Sequence, residues 1–511
     1  MWTAENSQGA ESLKIKWDIV PYTRGTGLDL GCGPVKPFPH FIGIDNNVDA
    51  NIFNSEASAR SLTANCEKLK IFANESMDFV FSSHLLEHIH DWEAALKEWW
   101  RVIKVGGYLV LYLPHASHYP RIGQPGSNPD HKHDFLPADI TRGMEGAGCW
   151  DLAVNEDRNE GDEYSFFQVY RKEAQGHQES WKNARPDKKV AVIRYGAFGD
   201  CLQTASVLPG LKRAGYHVTF FCTPRGVDVI RHDPHIDNIV IQDEEQVPNH
   251  ELSDYFQHLA KKFDKVVNMC ETVEGVVLPM SKRAHFHWPK EARHTVCNVN
   301  YVELQHKIAG VPYTQPEVRF YPTEQEKAWA LAEKAKCKGP VIAWALTGSA
   351  MHKIWPYVDA VIAAILKDHP QATIALLGAN GEEALQGEWE EGPVWRRVGI
   401  WSIRESMSFA QVADVVVGPE TGILNGMAME PNRKVVILSH STNENLTRDW
   451  VNTKAVEPVG VECYPCHRLH LDGWKYCNRH TEGLAVCQRS IGPYMVYDAM
   501  ELGLEKQRIA A

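Results

Sequence analysis

Four sets of residues in this chain have types and spacings that could carry chemistry. The first is "GLDLGCG", residues 27–33, followed by "FIGID", residues 41–45. Glycine lacks a Cβ, so Gly31 and Gly33 allow a ligand to lie close against the backbone. Asp45 closes the second apolar run with a carboxylate, and Asp29 is placed to hold the loop or a ligand amine. The second set is "GAFGDCLQT", where Asp200 falls near a helix start and suits either an N-cap or a proton acceptor. The third is "TGSAMHKIWP" with "PETGILN", which combines Lys353 with Glu420, Thr421, Gly422 and Asn425. The fourth is "CYPCHRLHLDGWKYCNRHTEGLAVC", which places Cys463, Cys466, Cys477 and Cys487 among three histidines.

The first loop restricts its own cofactor. Eight residues separate Gly33 from Ile42 and three of them are prolines, so no crossover helix fits there. A dinucleotide needs that helix, because its pyrophosphate rests on free N-terminal amides. The third glycine of the G-x-G-x-x-G pattern is also missing. S-adenosyl-L-methionine carries no phosphate. It asks only for close backbone approach, met by Gly31 and Gly33, and for a carboxylate on its ribose hydroxyls, met by Asp45.

These residues require an alternating scaffold to position them. Apolar runs at "GLDL", "FIGID", "MDFVFSS", "GGYLVLYLP" and "YSFFQVYRK" predict strands, and "WEAALKEWWRVI" has helical three-and-four spacing. The pattern implies a mostly parallel sheet with helices on both faces. A polar stretch, residues 172–187, reads as a linker. The pattern then restarts twice. "KKVAVIRY", a helix over 201–214 and "YHVTFFCT" open one half. "GPVIAWAL", a helix over 355–367, "ATIALLGA", "VADVVVG" and "KVVILSH" form the other. Two such halves imply a cleft between them.

With LDLGCG, GID and "SMDFVFSSHLLEHIHDWEAALKEWWRVIKVGGYLVLYLP" in order, residues 20–171 resemble the class I S-adenosylmethionine-dependent methyltransferases. The resemblance implies that Ser82 to His84 line the cofactor. The usual acid near the adenine is replaced here by Asn65 or Cys66. The long loop of residues 113–137 then lies on the acceptor side, with His115, His131, His133 and Asp134 as candidate proton acceptors. "HLLEH", residues 84–88, also fits H-x-x-E-H, an inverted zinc-protease pattern. Zinc chemistry needs a third protein ligand. The methyltransferase resemblance already accounts for the stretch, so no metal is expected.

Residues 188–500 resemble the family-nine glycosyltransferases, whose best-known members are lipopolysaccharide heptosyltransferases. The resemblance rests on "GAFGDCLQT", "TGSAMHKIWP" and "ADVVVGPETGILNGMAM". It implies a GT-B fold of two Rossmann-like lobes, with Asp200 as base and Lys353 on the donor diphosphate. Thr347, Ser349, Glu420, Thr421, Gly422 and Asn425 would line the donor site, with Glu382 or Glu383 on the ribose. Glu420 and Asn425 stand where the family carries aspartate and histidine. An acceptor hydroxyl must lose a proton and the leaving diphosphate needs positive charge. Asp200 and Lys353 supply both, which predicts inversion in a single displacement.

Bulk properties agree. The 511 residues suggest about three domains. The expected divisions are 1–171 for the methyltransferase and 172–187 for the linker. The acceptor lobe takes 188–335 and the donor lobe 336–511. The net charge of −12 disfavours a surface built for nucleic acid. The N-terminus lacks a basic start and an apolar core, and no run could span a membrane, so a soluble cytoplasmic protein is expected. The cysteine cluster admits a structural zinc, although its C-x2-C-x10-C-x9-C spacing lacks a second close pair. The expected function is therefore two transferase activities acting on a saccharide or glycolipid, with no resident metal. The alternatives are a glycosyltransferase carrying a non-catalytic methyltransferase-like module, and glycosylation of modified nucleic acid.

Overall fold

Five strands fold at the expected apolar runs, β1 (Gly27–Leu30), β2 (Ile42–Asp45), β4 (Met77–Ser83), β5 (Ile103–Pro114) and β7 (Ser165–Lys172), and two more, β3 (Ser61–Thr63) and β6 (Trp150–Arg158), fold where none was expected. They form one sheet in the order 3-2-1-4-5-7-6. β1 to β5 run parallel, whereas β7 lies antiparallel to both β5 and β6. The winding direction reverses between β1 and β4, which opens a crevice at their carboxyl ends. The computed structural model describes residues 11–33, 35–46, 61–174, 188–314, 317–389, 391–470, 477, 479–481 and 483–502. Most of the expected linker, residues 175–187, lies outside them, as do 471–476, 478 and 482 of the cysteine-rich stretch.

The chain divides into two compact units, one of residues 1–185 with 241–262, the other of 186–240 with 263–511. In the first, Leu28, Leu30, Val80, Trp99 and Leu109 share the core beside the sheet. The helix Trp92–Val102 buries Leu96, Trp99 and Trp100 there, and Asp91 caps its first turn by accepting from the Ala94 amide at 3.1 Å. Between Gly33 and Ile42 the described residues contain no helix, as the prolines require.

A distant segment contributes cover instead. The helix Leu252–Lys262 belongs to the first unit, although its place in the chain assigns it to the second half. Its Tyr255 is wholly buried, 5.7 Å from the Trp17 ring, and Trp17 lies 5.9 Å from Phe38 of the β1–β2 connection. Gln246 donates to the Val20 carbonyl at 2.8 Å. Asp18 gathers Arg158, His258 and Lys262 at 3.0–3.2 Å. Burial alone would raise the Asp18 carboxyl. The His258 hydrogen bond and the positive charges outweigh it and hold the carboxyl at about 2.

The second unit carries two sheets. β8 (Lys189–Arg194), β9 (His217–Cys222), β10 (Asn238–Ile241) and β11 (Lys265–Asn268) stand in the order 10-9-8-11, with β8 parallel to both neighbours. β12 (Val341–Ala345), β13 (Thr373–Leu377), β14 (Val394–Arg396), β15 (Val415–Pro419), β16 (Arg433–Ile437) and β17 (Thr453–Val456) form an all-parallel sheet in the order 14-13-12-15-16-17. Every residue of β12, β13 and β15 is buried, as expected for strands covered on both faces. The helix expected over 201–214 is two, Phe198–Ala205 and Leu208–Arg213, because Pro209 cannot continue the first. The helix expected over 355–367 begins later, at Val358, after Pro356. No helix of the described residues is long and apolar enough to cross a membrane.

Candidate functional site

In the first unit, the turn after β1 is built as the glycines predict. Gly31 and Gly33 have φ of +69° and +52°. The Gly31 amide donates to the Ile44 carbonyl at 2.8 Å, and the Gly33 amide to Asp45 Oδ2 at 3.0 Å. The acid at the end of β2 therefore already grips the glycine loop. A Cβ on Gly31 would meet the Leu85 side chain at 3.0 Å. Asp29 is buried beneath, and its Oδ2 has no hydrogen-bond partner. Burial pushes its carboxyl well above the usual range against the pull of Lys36. The Ser82 hydroxyl is also buried and unpartnered.

Other expected cofactor residues are committed to the fold. The Cys66 thiol donates to the Ile44 carbonyl at 3.4 Å, and burial pushes it up to about 12. Asn65 closes the adjacent turn by accepting from the Glu67 amide at 2.7 Å. His84 takes a positive φ of 49°, and its Nε2 pairs with the Ser165 hydroxyl at 2.9 Å. Burial pushes that imidazole down to about 3.

The four acceptor-side candidates in the long loop differ in what they are free to do. His133 Nε2 donates to the Ile89 and His90 carbonyls at 3.0 and 3.2 Å, and both Asp134 oxygens accept from the Ile122 amide at 3.2 Å. Both residues fasten the loop. His115 is oriented by the Ser117 amide at its Nδ1, 3.0 Å away, with Asp157 3.5 Å from its Nε2. His131 is buried and turns its Nε2 toward Glu87 Oε1 at 3.8 Å. Glu87 is fully buried, and burial pushes its carboxyl up to about 8. Sequence reasoning did not join Glu87 to His131. No short spacing relates them, and only the folded loop does.

The second unit holds a cleft of about 920 Å³ lined by residues of both lobes. Asp200 lines it from the lobe of β8–β11. Thr347, Ser349, Lys353 and Glu382 line it from the other lobe, with Glu420, Thr421, Gly422 and Asn425. Glu383 is absent from that lining. Asp200 fills both of the roles open to it. Its Oδ2 accepts from the Ala197 amide at 2.8 Å as a capping-box acid, and about a third of its side chain is still exposed to the cleft. Arg194, 2% exposed, meets its Oδ1 at 3.1 Å and Glu274 at 2.6 Å.

Glu420 sits at the end of β15, buried, in a complete set of partners. Oε1 accepts from the Ser439 amide at 3.0 Å and the Ser441 hydroxyl at 2.8 Å. Oε2 accepts from the Ser439 hydroxyl at 3.1 Å and lies 2.9 Å from His440 Nδ1. Burial opposes its ionisation, but His440 and Lys353 more than offset it and hold the carboxyl far below the usual range. Lys353 Nζ donates to the Glu420 carbonyl at 3.1 Å and lies 4.0 Å from its Oε2. Ser439, His440 and Ser441 were not legible as site residues.

Asn425 bridges the lobes. Its Oδ1 accepts from Gln203 at 2.8 Å and its Nδ2 donates to the Thr421 carbonyl at 2.8 Å. Gly422 permits close approach here, since a Cβ on it would fall 2.8 Å from Phe198. Thr421 caps the short helix Gly422–Gly426 by accepting from the Leu424 amide at 3.2 Å. Glu382 Oε2 accepts from the Ala379 amide at 2.9 Å, and burial raises its carboxyl.

Cys463, Cys466, Cys477 and Cys487 are free thiols that line one small cavity with His352, His440 and His470. Burial pushes the Cys466 thiol up to about 12. Among the described residues, the ligand groups whose atoms come within 4.8 Å of one another are Glu87, His88 and His131, and His115, His118 and Asp157. The cysteine sulfurs are not among these groups, although Cys463, Cys466 and Cys477 all raise the Cys487 thiol further.

Residues 28–111 match a family model described as a methyltransferase domain. The chain is similar to the ADP-heptose LPS heptosyltransferase II of E. coli at 12% identity, over 63% of this chain and 99% of that one, with a TM-score of 0.46. It is similar to a family 9 glycosyl transferase of Veillonella parvula at 13% identity, over 53% and 86% of the chains, with a TM-score of 0.41. A SAM-dependent methyltransferase of Aquifex aeolicus is 16% identical over 32% and 94%, with a TM-score of 0.26. No curated protein sequence matches.

Proposed function

We propose that the second unit transfers a sugar from a nucleotide-sugar donor, inverting the anomeric centre, and that the first methylates a saccharide-bearing product with S-adenosyl-L-methionine. The observation that carries the first half is the single cleft of about 920 Å³ with Asp200 on one lobe and Lys353 on the other. Asp200 takes the proton of the acceptor hydroxyl as that oxygen attacks the anomeric carbon. Arg194, locked by Glu274, fixes its carboxylate. Lys353 meets the negative charge that develops on the leaving diphosphate. Glu420, ionised within its own partners, holds the lysine in place.

For the methyl half, the residues fit the cofactor in three respects. Gly31 takes a φ of +69° in the turn, with the Leu85 side chain against it, and Asp29 Oδ2 and the Ser82 hydroxyl are buried polar atoms with no partner. Asp29 and Ser82 would take the methionyl amine and Asp45 the ribose hydroxyls. When bound, the cofactor supplies the methyl group. His115, whose Nε2 lies near Asp157, is the proton acceptor for the methylated hydroxyl. One observation favours the alternative in which the first unit only binds. The Gly33 amide and Asp45 already satisfy each other.

Thermal stability of the full chain with each nucleotide sugar tests the donor. The true donor at 100 times its Kd should add about 2.7 kcal/mol. Radiolabelled methyl donor with the glycan product tests the second half. Label found only on a non-glycan substrate, or sugar transfer with no S-adenosylmethionine binding, would overturn it.

A further inference from the structure

We propose that Glu87, His88 and His131 form a binding site for one divalent transition-metal ion, of which Zn²⁺ is the type. The three lie with their ligand atoms within 4.8 Å of one another. Glu87 Oε1 is 3.8 Å from His88 Nε2 and 3.8 Å from His131 Nε2. These separations are too long for hydrogen bonds. They suit atoms sharing an ion, since ligands about 2.0–2.2 Å from a tetrahedral metal stand roughly 3.4 Å apart.

The carboxylate supplies a second, independent observation. Glu87 is 0% exposed, and neither of its oxygens has a hydrogen-bond partner. A buried carboxylate without donors is costly unless a cation meets it. The His88 ring is supported by the Asp130 backbone, as ligating imidazoles usually are by a neighbouring group. The Glu87 carbonyl accepts from the Lys132 and His133 amides at 2.7 and 3.2 Å, which brings the adjoining His131 to the site. The H-x-x-E-H pattern lacked a third ligand in the sequence, and the loop provides it.

Imidazole nitrogens with one carboxylate suit zinc, iron or nickel rather than magnesium, which prefers oxygen. His88 keeps 29% of its side chain exposed, so the ion is reachable. Leu85, inside the same motif, lies against Gly31 of the glycine turn. What the ion does rests on the methyl-transfer reading. It would bind the acceptor hydroxyl, whose proton passes to His115 as that reading has it, while the oxygen takes the methyl group and the sulfonium leaves as a thioether. That the ion binds does not rest on that reading.

The test uses chelator-treated full-length protein titrated with ZnCl2 by calorimetry and with CoCl2 by visible absorption. The expected result is one equivalent whose cobalt spectrum lacks a thiolate charge-transfer band. H131A should weaken that equivalent at least about a hundredfold. H88N, at the more exposed ligand, should weaken it likewise with the melting temperature unchanged. H90A, at an exposed histidine two residues from His88, should bind as wild type does. Undiminished affinity in both H131A and H88N overturns the proposal. So does a thiolate band lost in C463S, or tighter binding of Mg²⁺ than of Zn²⁺. None of these readouts depends on methyl transfer, so an inert enzyme that still binds zinc separates the two claims.

Discussion

Glu87 in the first unit and Glu420 in the second are both buried glutamates, and burial raises both carboxyls, yet they end on opposite sides of the usual range. Glu87 has no hydrogen-bond donor and is pushed up to about 8. Glu420 has three donors besides His440 and Lys353, and is held far down. Depth is the same in both, so partners decide the charge. A carboxylate with partners belongs to the frame of its site. One without them still has room for something that is not protein. Asp29 follows Glu87 in this respect, and Asp18 follows Glu420.

Substitutions can break this contrast. The largest effect is expected at Glu420→Ala, which strips the partner from His440, Ser439 and Ser441 and should cost about 3–5 kcal/mol in denaturant unfolding. Lys353→Met should lower kcat for sugar transfer at least about a hundredfold, as loss of a preorganised positive group does, with methyl transfer unchanged. Asp18→Asn comes next. The folded carboxyl sits at about 2 against an ordinary 3.8, so its stabilisation is present above about pH 4 and fades as pH falls toward 2. The variant should lose about 2 kcal/mol at pH 7 and nothing near pH 2. The smallest effect belongs to metal-free Glu87→Gln, expected within about 1 kcal/mol of wild type because no hydrogen bond is lost. A loss at Glu87 as large as that at Glu420 would break the contrast.

Much of this arrangement could be read from local spacing. The proline-rich connection excluded a crossover helix, and the described residues have none there. Asp200 stands in the first turn of the helix Phe198–Ala205 and Lys353 in the short helical turn Met351–Lys353 after β12, and both line the same cleft. What escaped the sequence depends on distant encounters. His131 meets Glu87 across 44 residues, and Gln203 meets Asn425 across 222. Arg194 reads as the end of an apolar strand, but it is the buried cation that fixes Asp200. Such pairs leave no periodic trace, because their spacing reflects how loops return and not how a helix or strand repeats.

The helix Leu252–Lys262 has a consequence for how the polypeptide can be taken apart. A single protease cut within residues 175–187 would sever the chain there without freeing the first unit, because residues 241–262 belong to its fold but remain on the downstream fragment. Residues 1–185 made alone would expose Trp17, Phe38 and the charge cluster of Asp18, and should be poorly soluble until the missing helix is returned as a separate peptide. The two units are threaded together, not joined end to end.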